Sequence, residues 1–321
     1  MHDLRPASLR SGAADALQHA TYDPRRLVLI HTAVSGGLAL ALYALDLLLG
    51  NQIAQTSGLS GITTTATLEF LQTLLMLLNV ILLPVWELGF VWTALQMFRR
   101  QDTNPKTLTF GFRRFLPLLV GKAVQSILLM GAMTLGAYVG AFLFCLTPGY
   151  QELAAVVEPY LMGDTLDYAA LMADPAVLSN IYRILPFVAL GAAVLTLPLF
   201  YRLRLVDYCL MDAPQTRPFL STFRSMLLMR GHRRQLLKLD LSFWDFYLLQ
   251  VLISLVSFGD VLLPALGVDL GMSAEWALFG FYLASLVLQL VLYCWKKPLV
   301  ATTYAGFYHT LTQQAEEPKP Q

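Results

Sequence analysis

Six stretches of the chain are apolar over lengths that can span a lipid bilayer. They cover residues 27–49, 70–95, 116–146, 181–201, 246–267 and 275–295. A helix of about 20 apolar residues crosses the hydrocarbon core, and it satisfies its own backbone hydrogen bonds there. The pattern predicts an all-α, polytopic membrane helix bundle with about six transmembrane helices and short interfacial amphipathic helices between them.

Composition favours lipid as the solvent of this fold. Hydrophobic residues make up 56% of the 321 residues, and charged residues make up 13%. A soluble fold with so few charges would expose too much apolar surface to stay dispersed. The segments between the apolar stretches are also too short to form a soluble catalytic domain.

Lys and Arg occur in every second polar segment. The basic segments are residues 1–26, 96–115, 202–245 and 296–321. The segments that lack these residues are 50–69, 147–180 and 267–274. Because loops rich in Lys and Arg stay in the cytosol, the alternation predicts a multi-pass protein with both termini cytosolic.

These segments divide the chain into three parts. Residues 1–26 form a cytosolic N-terminal segment, residues 27–295 a six-helix transmembrane domain, and residues 296–321 a cytosolic C-terminal tail. The outer segment 147–180 carries five acidic residues and three prolines, so we expect it to form a small acidic cap.

The basic segments also carry apolar residues at helical spacing, most clearly over residues 216–239. Such a helix is expected to lie along the headgroups with its bases facing anionic phospholipid at the cytosolic face. The alternative is a solvated connector whose bases only set the topology. The candidate lipid contacts are Arg113, Arg114, Arg224, Arg233, Arg234 and Lys238.

Small residues recur at four-residue spacing on two of the apolar stretches, a pattern that suits close packing of membrane helices. The two sets are Ala33, Gly37 and Ala41, and Ala132, Gly136 and Gly140. They bear on assembly within the chain. A homodimer or another membrane partner stays open.

An ionisable residue inside an apolar stretch is the main clue to function. Glu87 lies well within the second stretch, between Pro84 and Gly89, where a broken helix could leave carbonyl groups unpaired. An acid near the bilayer centre costs roughly 2.5 to 3.5 kcal/mol and usually faces the bundle interior. Gln72 and Asn79 are seven residues apart on the same predicted helix and share a face.

Glu87 allows two interpretations. In the structural one, it pairs with an Arg from a nearby inner helix end, Arg202 or Arg204. In the functional one, it is part of a proton, ion or substrate path, together with the polar residues on its helix.

No catalytic residue, metal ligand or cofactor is expected. The sequence contains no phosphate-binding Gly-rich loop, no HExxH zinc motif and no nucleophile elbow. The five histidines are scattered, and His31 within the first stretch is expected to hydrogen-bond a neighbouring helix. Nucleic acid is not an expected partner either.

Three stretches resemble the bacterial membrane family catalogued as domain of unknown function 975. They are residues 229–243, with its Leu-Ser-Phe at 241–243, the N-terminal residues 9–17, and residues 298–311. The chain departs from the family pattern at Asp245-Phe246, where a Gly-Trp pair is usual, and at Leu299. The resemblance implies a multi-helix protein of the bacterial cytoplasmic membrane, and it adds no activity.

Two functions follow from these patterns. The first is a non-enzymatic membrane scaffold or accessory subunit, because the loops are short and the inner face is basic. The alternative is a small transporter or permease-like protein with Glu87 in a polar path, supported by Pro84, Pro198 and a weak internal repeat around them. A water-filled cavity that reaches Glu87 would favour transport, whereas a closed, dry bundle would favour the scaffold. A lipid-processing enzyme lacks identifiable residues.

Overall fold

Every secondary-structure element in the described part of the chain is a helix. The computed structural model describes residues 4–55, 62–161, 175–213, 217–259, 263 and 274–316. A 3₁₀ helix covers Pro105–Arg114. The α-helices are α1 (Pro6–Gln18), α2 (Pro24–Gln55), α3 (Ile62–Phe98), α4 (Phe115–Cys145), α5 (Pro148–Leu161), α6 (Pro175–Leu203), α7 (Val206–Asp212), α8 (Pro218–Leu228), α9 (Arg233–Leu241), α10 (Trp244–Val256) and α11 (Ala274–Glu316).

The predicted class, an all-α polytopic membrane bundle, is confirmed. Among the described helices, α2, α3, α4, α6 and α11 are long and apolar enough to cross a membrane. A sixth span results if α9 and α10 are joined, but these two helices meet at an angle of 64°. The predicted fifth stretch is therefore represented by α10, and its remainder lies largely outside the described residues, as does most of the turn at 267–274.

The apolar helices present most of their side chains to the surroundings. In the 18-residue apolar window within Ala66–Phe98, only 28% of the residues are buried. The corresponding window within Tyr182–Asp212 contains no buried residue. Large side chains such as Met76 and Ile127 are about 70% exposed. Such a surface would aggregate in water, so the chain is a multi-pass membrane protein whose outer face contacts lipid.

Close helix packing joins α4 to α6, as the small-residue pattern predicts. A Cβ atom added to Gly140 would lie 2.1 Å from the Phe187 carbonyl oxygen, and one added to Gly136 would lie 2.4 Å from the Gly191 carbonyl oxygen. The prediction is wrong for Gly37, where an added Cβ atom would meet nothing within 4 Å.

A second helix group consists of α2, α3, α10 and α11. α2 and α3 both contact α11, and α10 packs along α11. The indole Nε1 of Trp86 on α3 donates a hydrogen bond to the His31 carbonyl oxygen on α2, at 3.0 Å. α3 continues through Pro84 without a break, although the sequence allowed a broken helix there.

The basic segments fold together at one end of the bundle, called the basic end below. It comprises α1, the 3₁₀ helix, α7, α8, α9 and the C-terminal half of α11. Its core includes Leu9, Leu95, Leu239 and Phe307, all at most 4% exposed. Since α1 and the end of α11 share this core, the N- and C-terminal helices lie on the same side of the bundle.

The predicted boundary between transmembrane domain and C-terminal tail lies inside a continuous helix. α11 runs from Ala274 to Glu316, and most of its residues from 302 to 312 are buried at the basic end. Thr302, Thr303, Phe307 and Tyr308 are all 0% exposed. Residues 296–316 are therefore a central structural element around which the other basic segments pack.

A charged cluster ties α3, α7 and α11 together at the basic end. The guanidinium of Arg99 donates two hydrogen bonds to the carboxylate of Asp212, at 2.6 and 3.0 Å, and the Tyr308 hydroxyl donates a third at 3.0 Å. Three hydrogen bonds thus compensate the Asp212 carboxylate, and two of them come from a charged donor.

Candidate functional site

Glu87 lies one turn beyond Pro84 on α3, with 46% of its side chain exposed. Its Oε2 atom is 3.7 Å from the Nζ atom of Lys297 on α11, and its Oε1 atom is 3.7 Å from the Nε2 atom of His31 on α2. The predicted partners Arg202 and Arg204 were wrong. An opposite charge does face Glu87, but it comes from the last helix.

Arg204 lies elsewhere, at the basic end. Its guanidinium stacks over the rings of Phe200 and Tyr304, each at 5.2 Å from the ring centroid. The Arg202 side chain is exposed, and its carbonyl oxygen accepts a hydrogen bond from Ser225. Depth along the sequence is therefore a poor guide to the partner of Glu87, because helix tilt and rotation decide which side chains meet.

Two aromatic rings also hold the ammonium group of Lys297. It lies 4.5 Å from the ring centroid of Tyr293 and 4.9 Å from that of Phe90. Cation–π contacts of this kind stabilise a desolvated ammonium by up to about 2 kcal/mol. The 3.7 Å separation between Lys297 and Glu87 exceeds hydrogen-bond length. The two rings and the carboxylate therefore stabilise the Lys297 ammonium together.

His31 is fully buried behind Glu87. Its ring stacks on Trp86, with the ring centroids 5.6 Å apart, and packs against Phe90 at 4.7 Å. Neither ring nitrogen has a hydrogen-bond partner among the described residues, so the expected bond from the ring to a neighbouring helix is wrong. The helix contact is made instead by the His31 backbone carbonyl.

A polar cleft of about 490 Å³ opens beside Glu87 between α2, α3, α10 and α11. On α11 its lining extends from Tyr282 to Tyr293, which is about 16 Å at 1.5 Å per residue. Ten of its lining residues are polar: Thr32, Ser35, Glu87, Gln250, Ser254, Ser257, Tyr282, Ser285, Gln289 and Tyr293. A polar molecule next to these side chains would find several hydrogen-bond partners.

Hydrogen bonds orient the polar groups at the Glu87 end of the cleft. The side-chain amides of Gln250 and Gln289 both donate to the Tyr293 hydroxyl, at 3.1 and 2.9 Å. This bonding joins α10 to α11 and places the phenol oxygen between two amides. The ring of the same tyrosine contacts Lys297.

A second cavity of about 410 Å³ contains the other two candidate residues, Gln72 and Asn79. It shares Ala39 and Tyr282 with the first cleft. The Oδ1 atom of Asn79 is buried and has no hydrogen-bond partner in the described part of the chain. All three candidate residues of α3 therefore line adjoining cavities, over 15 residues or about 22 Å of helix.

The candidate lipid contacts are spread over the basic end with different exposures. Arg113, Arg234 and Lys238 are exposed, whereas Arg114, Arg224 and Arg233 are partly buried. The Arg114 guanidinium stacks over the Phe110 ring at 5.6 Å. Arg234 and Lys238 are four residues apart on α9, so they project from one face.

α8 has an inverted distribution of polarity. Its polar residues Ser221, Thr222 and Ser225 are at most 1% exposed and face the protein. Four of its apolar residues are each more than half exposed, namely Phe219, Leu220, Phe223 and Leu227, whereas Met226 and Leu228 are partly buried. Such an outward-facing apolar surface is typical of helices that lie at a membrane interface.

Sequence reasoning missed most of the cleft. The sequence predicts Lys297 to belong to the C-terminal tail. The predicted site also lacks Gln250, Ser254 and Ser257, which lie along α10 and at its end. A signal for these residues existed, because polar side chains spaced by three, four or seven positions share one face of an apolar helix. The same spacing joins Tyr282, Ser285, Gln289 and Tyr293 on α11.

Comparison with known proteins adds no further information. No family model matches the chain, and neither a curated protein nor a solved structure matches it. Among the described residues, no group of three or more His, Cys, Asp and Glu side chains could hold a metal ion.

Glu87 and Lys297 are expected to be coupled in stability. Replacing Glu87 with Gln or Lys297 with Met should lower the melting temperature in detergent, because each change leaves one charge without its counter-charge. The double variant should lose less than the sum of the single losses. We expect a coupling on the order of 1 kcal/mol, since the half-exposed carboxylate is partly screened.

Lys296→Met provides the matched control. The neighbouring ammonium pairs with Asp245 and not with Glu87, so its loss should add independently to Glu87→Gln. Additive losses for Glu87→Gln and Lys297→Met would show that the two charges do not interact in the folded protein.

Proposed function

We propose that the protein binds a small polar solute or ion in the cleft beside Glu87 and moves it across the membrane. The observation that carries this proposal is the polar cleft itself, within four apolar helices. Polar groups in hydrocarbon are costly unless they meet a partner, water or a ligand. A protein that only held its helices together would bury an apolar surface at this position at less cost.

The length of the polar track supports transport over simple binding. The cleft and the adjoining cavity together follow α3 from Glu87 to Gln72, about 22 Å of a hydrocarbon core that is about 30 Å thick. Intramembrane ionisable residues that face a cavity commonly mark such paths.

Filling the cleft should stop transport without unfolding the protein. Gly37 lines the cleft, and an added Cβ atom there meets nothing within 4 Å. We expect Gly37→Leu to abolish solute-dependent swelling of proteoliposomes, measured by light scattering over a panel of small neutral, anionic and cationic solutes.

The matched control is Gly131→Leu. This glycine on α4 also has open space around it but does not line the cleft. The control should swell as the native protein does, with an unchanged melting temperature. If the native protein and both variants swell no faster than empty liposomes for every solute, the transport proposal is wrong.

A scaffold or accessory subunit without enzymatic activity is the second candidate. The observation that favours it is the basic end, where α1, α7 and α9 share a core with α11 and α8 presents an exposed apolar face. A stoichiometric protein partner that co-purifies from native membrane, combined with no swelling by any solute, would support this function over transport.

We further propose that both termini are cytosolic, in a bacterial cytoplasmic membrane. The basic residues gather at the end that holds α1 and the end of α11, and Lys and Arg mark the cytosolic side. The resemblance to the family catalogued as domain of unknown function 975 supports the bacterial source.

Cysteine labelling from outside the cell tests this orientation. In a background with Cys145 and Cys294 replaced by Ser, an impermeant thiol reagent should modify Gln151→Cys on α5. It should miss Asn104→Cys, Arg230→Cys and Ala315→Cys, all of which are exposed at the basic end. Labelling of Arg230→Cys in intact cells would show the opposite orientation, with the basic end outside.

Anionic phospholipid is the partner that we propose for the basic end. The exposed apolar face of α8 and the exposed bases on α9 would bind the interface by apolar contact and charge together. Native mass spectrometry should show fewer bound phosphatidylglycerol molecules for the double variant Arg234→Gln, Lys238→Gln.

Arg183→Gln serves as the control for that measurement, because Arg183 pairs with Glu152 on α5, away from the basic end. Its lipid binding should equal that of the native protein. Equal loss of phosphatidylglycerol and phosphatidylcholine in the double variant would remove the electrostatic part of the proposal.

A further inference from the structure

We infer that the cleft takes a solute with a protonated amine and further hydrogen-bond donors, and that Lys297 supplies the counter-charge of Glu87 when the cleft is empty. The inference rests on the proposed function, that the cleft binds a polar solute. It goes further by assigning the charge and the chemical class of that solute.

The charge of the lining gives the first argument. Glu87 is the one carboxylate among the described lining residues, and no Lys, Arg or His lines the cleft with it. Lys297 lies beside Glu87 but outside the lining, against Phe90 and Tyr293. A solute in the cleft therefore contacts the Glu87 carboxylate as the one charged group of the described lining, while the compensating Lys297 ammonium lies outside it, and this favours a cation at the carboxylate.

The hydrogen bonds of the lining give a second, independent argument. The hydroxyls of Ser35, Ser254, Ser257 and Ser285 each donate to a carbonyl oxygen of their own helix, at distances from 2.6 to 3.2 Å. Their protons are thereby used, and their oxygen lone pairs remain. A solute next to these hydroxyls must supply the protons.

The two glutamines add further acceptors. Each side-chain amide donates one N–H to the Tyr293 hydroxyl, which leaves its carbonyl oxygen, with two lone pairs, and one further N–H for other partners. Carboxylate, serine and amide oxygens together make the cleft rich in acceptors. Ammonium, amine and hydroxyl groups match such a site, whereas a carboxylate or phosphate does not.

The position of Lys297 shows how a second ammonium could enter. Its Nζ atom is 3.7 Å from Glu87, longer than the 2.7–2.9 Å that is usual for a charge-assisted hydrogen bond. The carboxylate thus keeps its lone pairs, while two rings hold the Lys297 charge. An incoming ammonium could bind Glu87 from the cleft side while Lys297 remains on the rings.

The test compares three solutes of the same length, 4-amino-1-butanol, 4-hydroxybutyrate and 1,4-butanediol, on the full chain in detergent at pH 7 and constant ionic strength. Only the amine should raise the melting temperature, with a saturating dependence on concentration. Binding measured by isothermal titration calorimetry should be lost in Glu87→Gln.

Lys297→Met should act in the opposite direction, because the tethered competitor is removed. We expect the affinity for 4-amino-1-butanol to rise on the order of tenfold, the effect of one competing charge in partly solvated surroundings. A gain in affinity cannot arise from misfolding. Lys296→Met should bind as the native protein does.

Three outcomes would count against the inference. It is overturned if 4-hydroxybutyrate stabilises the protein or if all three solutes have equal effects. It is also overturned if the amine stabilises the protein no more than KCl at the same concentration does.

The same measurements distinguish this inference from the transport proposal. If Gly37→Leu stops swelling for other solutes while the amine does not bind, transport stands and the amine assignment fails. If the amine binds but nothing is transported, the assignment stands and transport fails.

Discussion

A carboxylate placed within an apolar belt is the constraint on which the arrangement of α2, α3 and α11 depends. Such a group costs roughly 2.5 to 3.5 kcal/mol on insertion scales, so the fold must supply a counter-charge, a polar surface or water. Glu87 receives a counter-charge and a polar surface, since Lys297 faces one oxygen, His31 lies near the other, and the polar cleft opens beside them. Aromatic rings then compensate Lys297 in turn, so one acidic residue accounts for most of the polar residues at the centre of this helix group.

α3 and α11 are tied at two levels. The pair of Glu87 and Lys297 forms the tie at the cleft, and Arg99 and Tyr308 form the other through Asp212. The two ties are 11 to 12 residues apart along each helix, or roughly 16 to 18 Å. The bidentate bond and the buried core fix the basic end, whereas the tie at the cleft is longer and half exposed. Any opening between α3 and α11 should therefore pivot about the basic end, and a ligand that weakens the Glu87 tie would favour it.

Much of this fold could be predicted from the sequence, because length and hydropathy alone identify helices that cross a bilayer. The polar residues of α3 were also visible, since Gln72, Asn79 and Glu87 interrupt an otherwise apolar stretch. The partner of Glu87 was not visible in the sequence, because Lys297 is 210 positions away and follows the end of an apolar run. Charge alternation assigns such a lysine to a loop, and only the continuation of α11 past Pro298 brings it against Phe90. The burial of Phe307 and Tyr308 was hidden for the same reason.

Small residues illustrate why sequence patterns alone do not determine packing in a membrane. Gly136 and Gly140 on α4 meet Gly191 and Phe187 on α6 with no room for a methyl group, whereas Gly37 on α2 meets open space. The spacing is the same on α2 and α4, so the difference comes from the helices opposite. α6 presents a small residue and its backbone, and dispersion forces then draw the helices together. α10 and α11 present Gln, Ser and Tyr side chains, and the Gln and Tyr side chains bond to one another beside the open space. Small residues thus permit close approach, and the polarity of the facing helix decides between a sealed contact and a cleft.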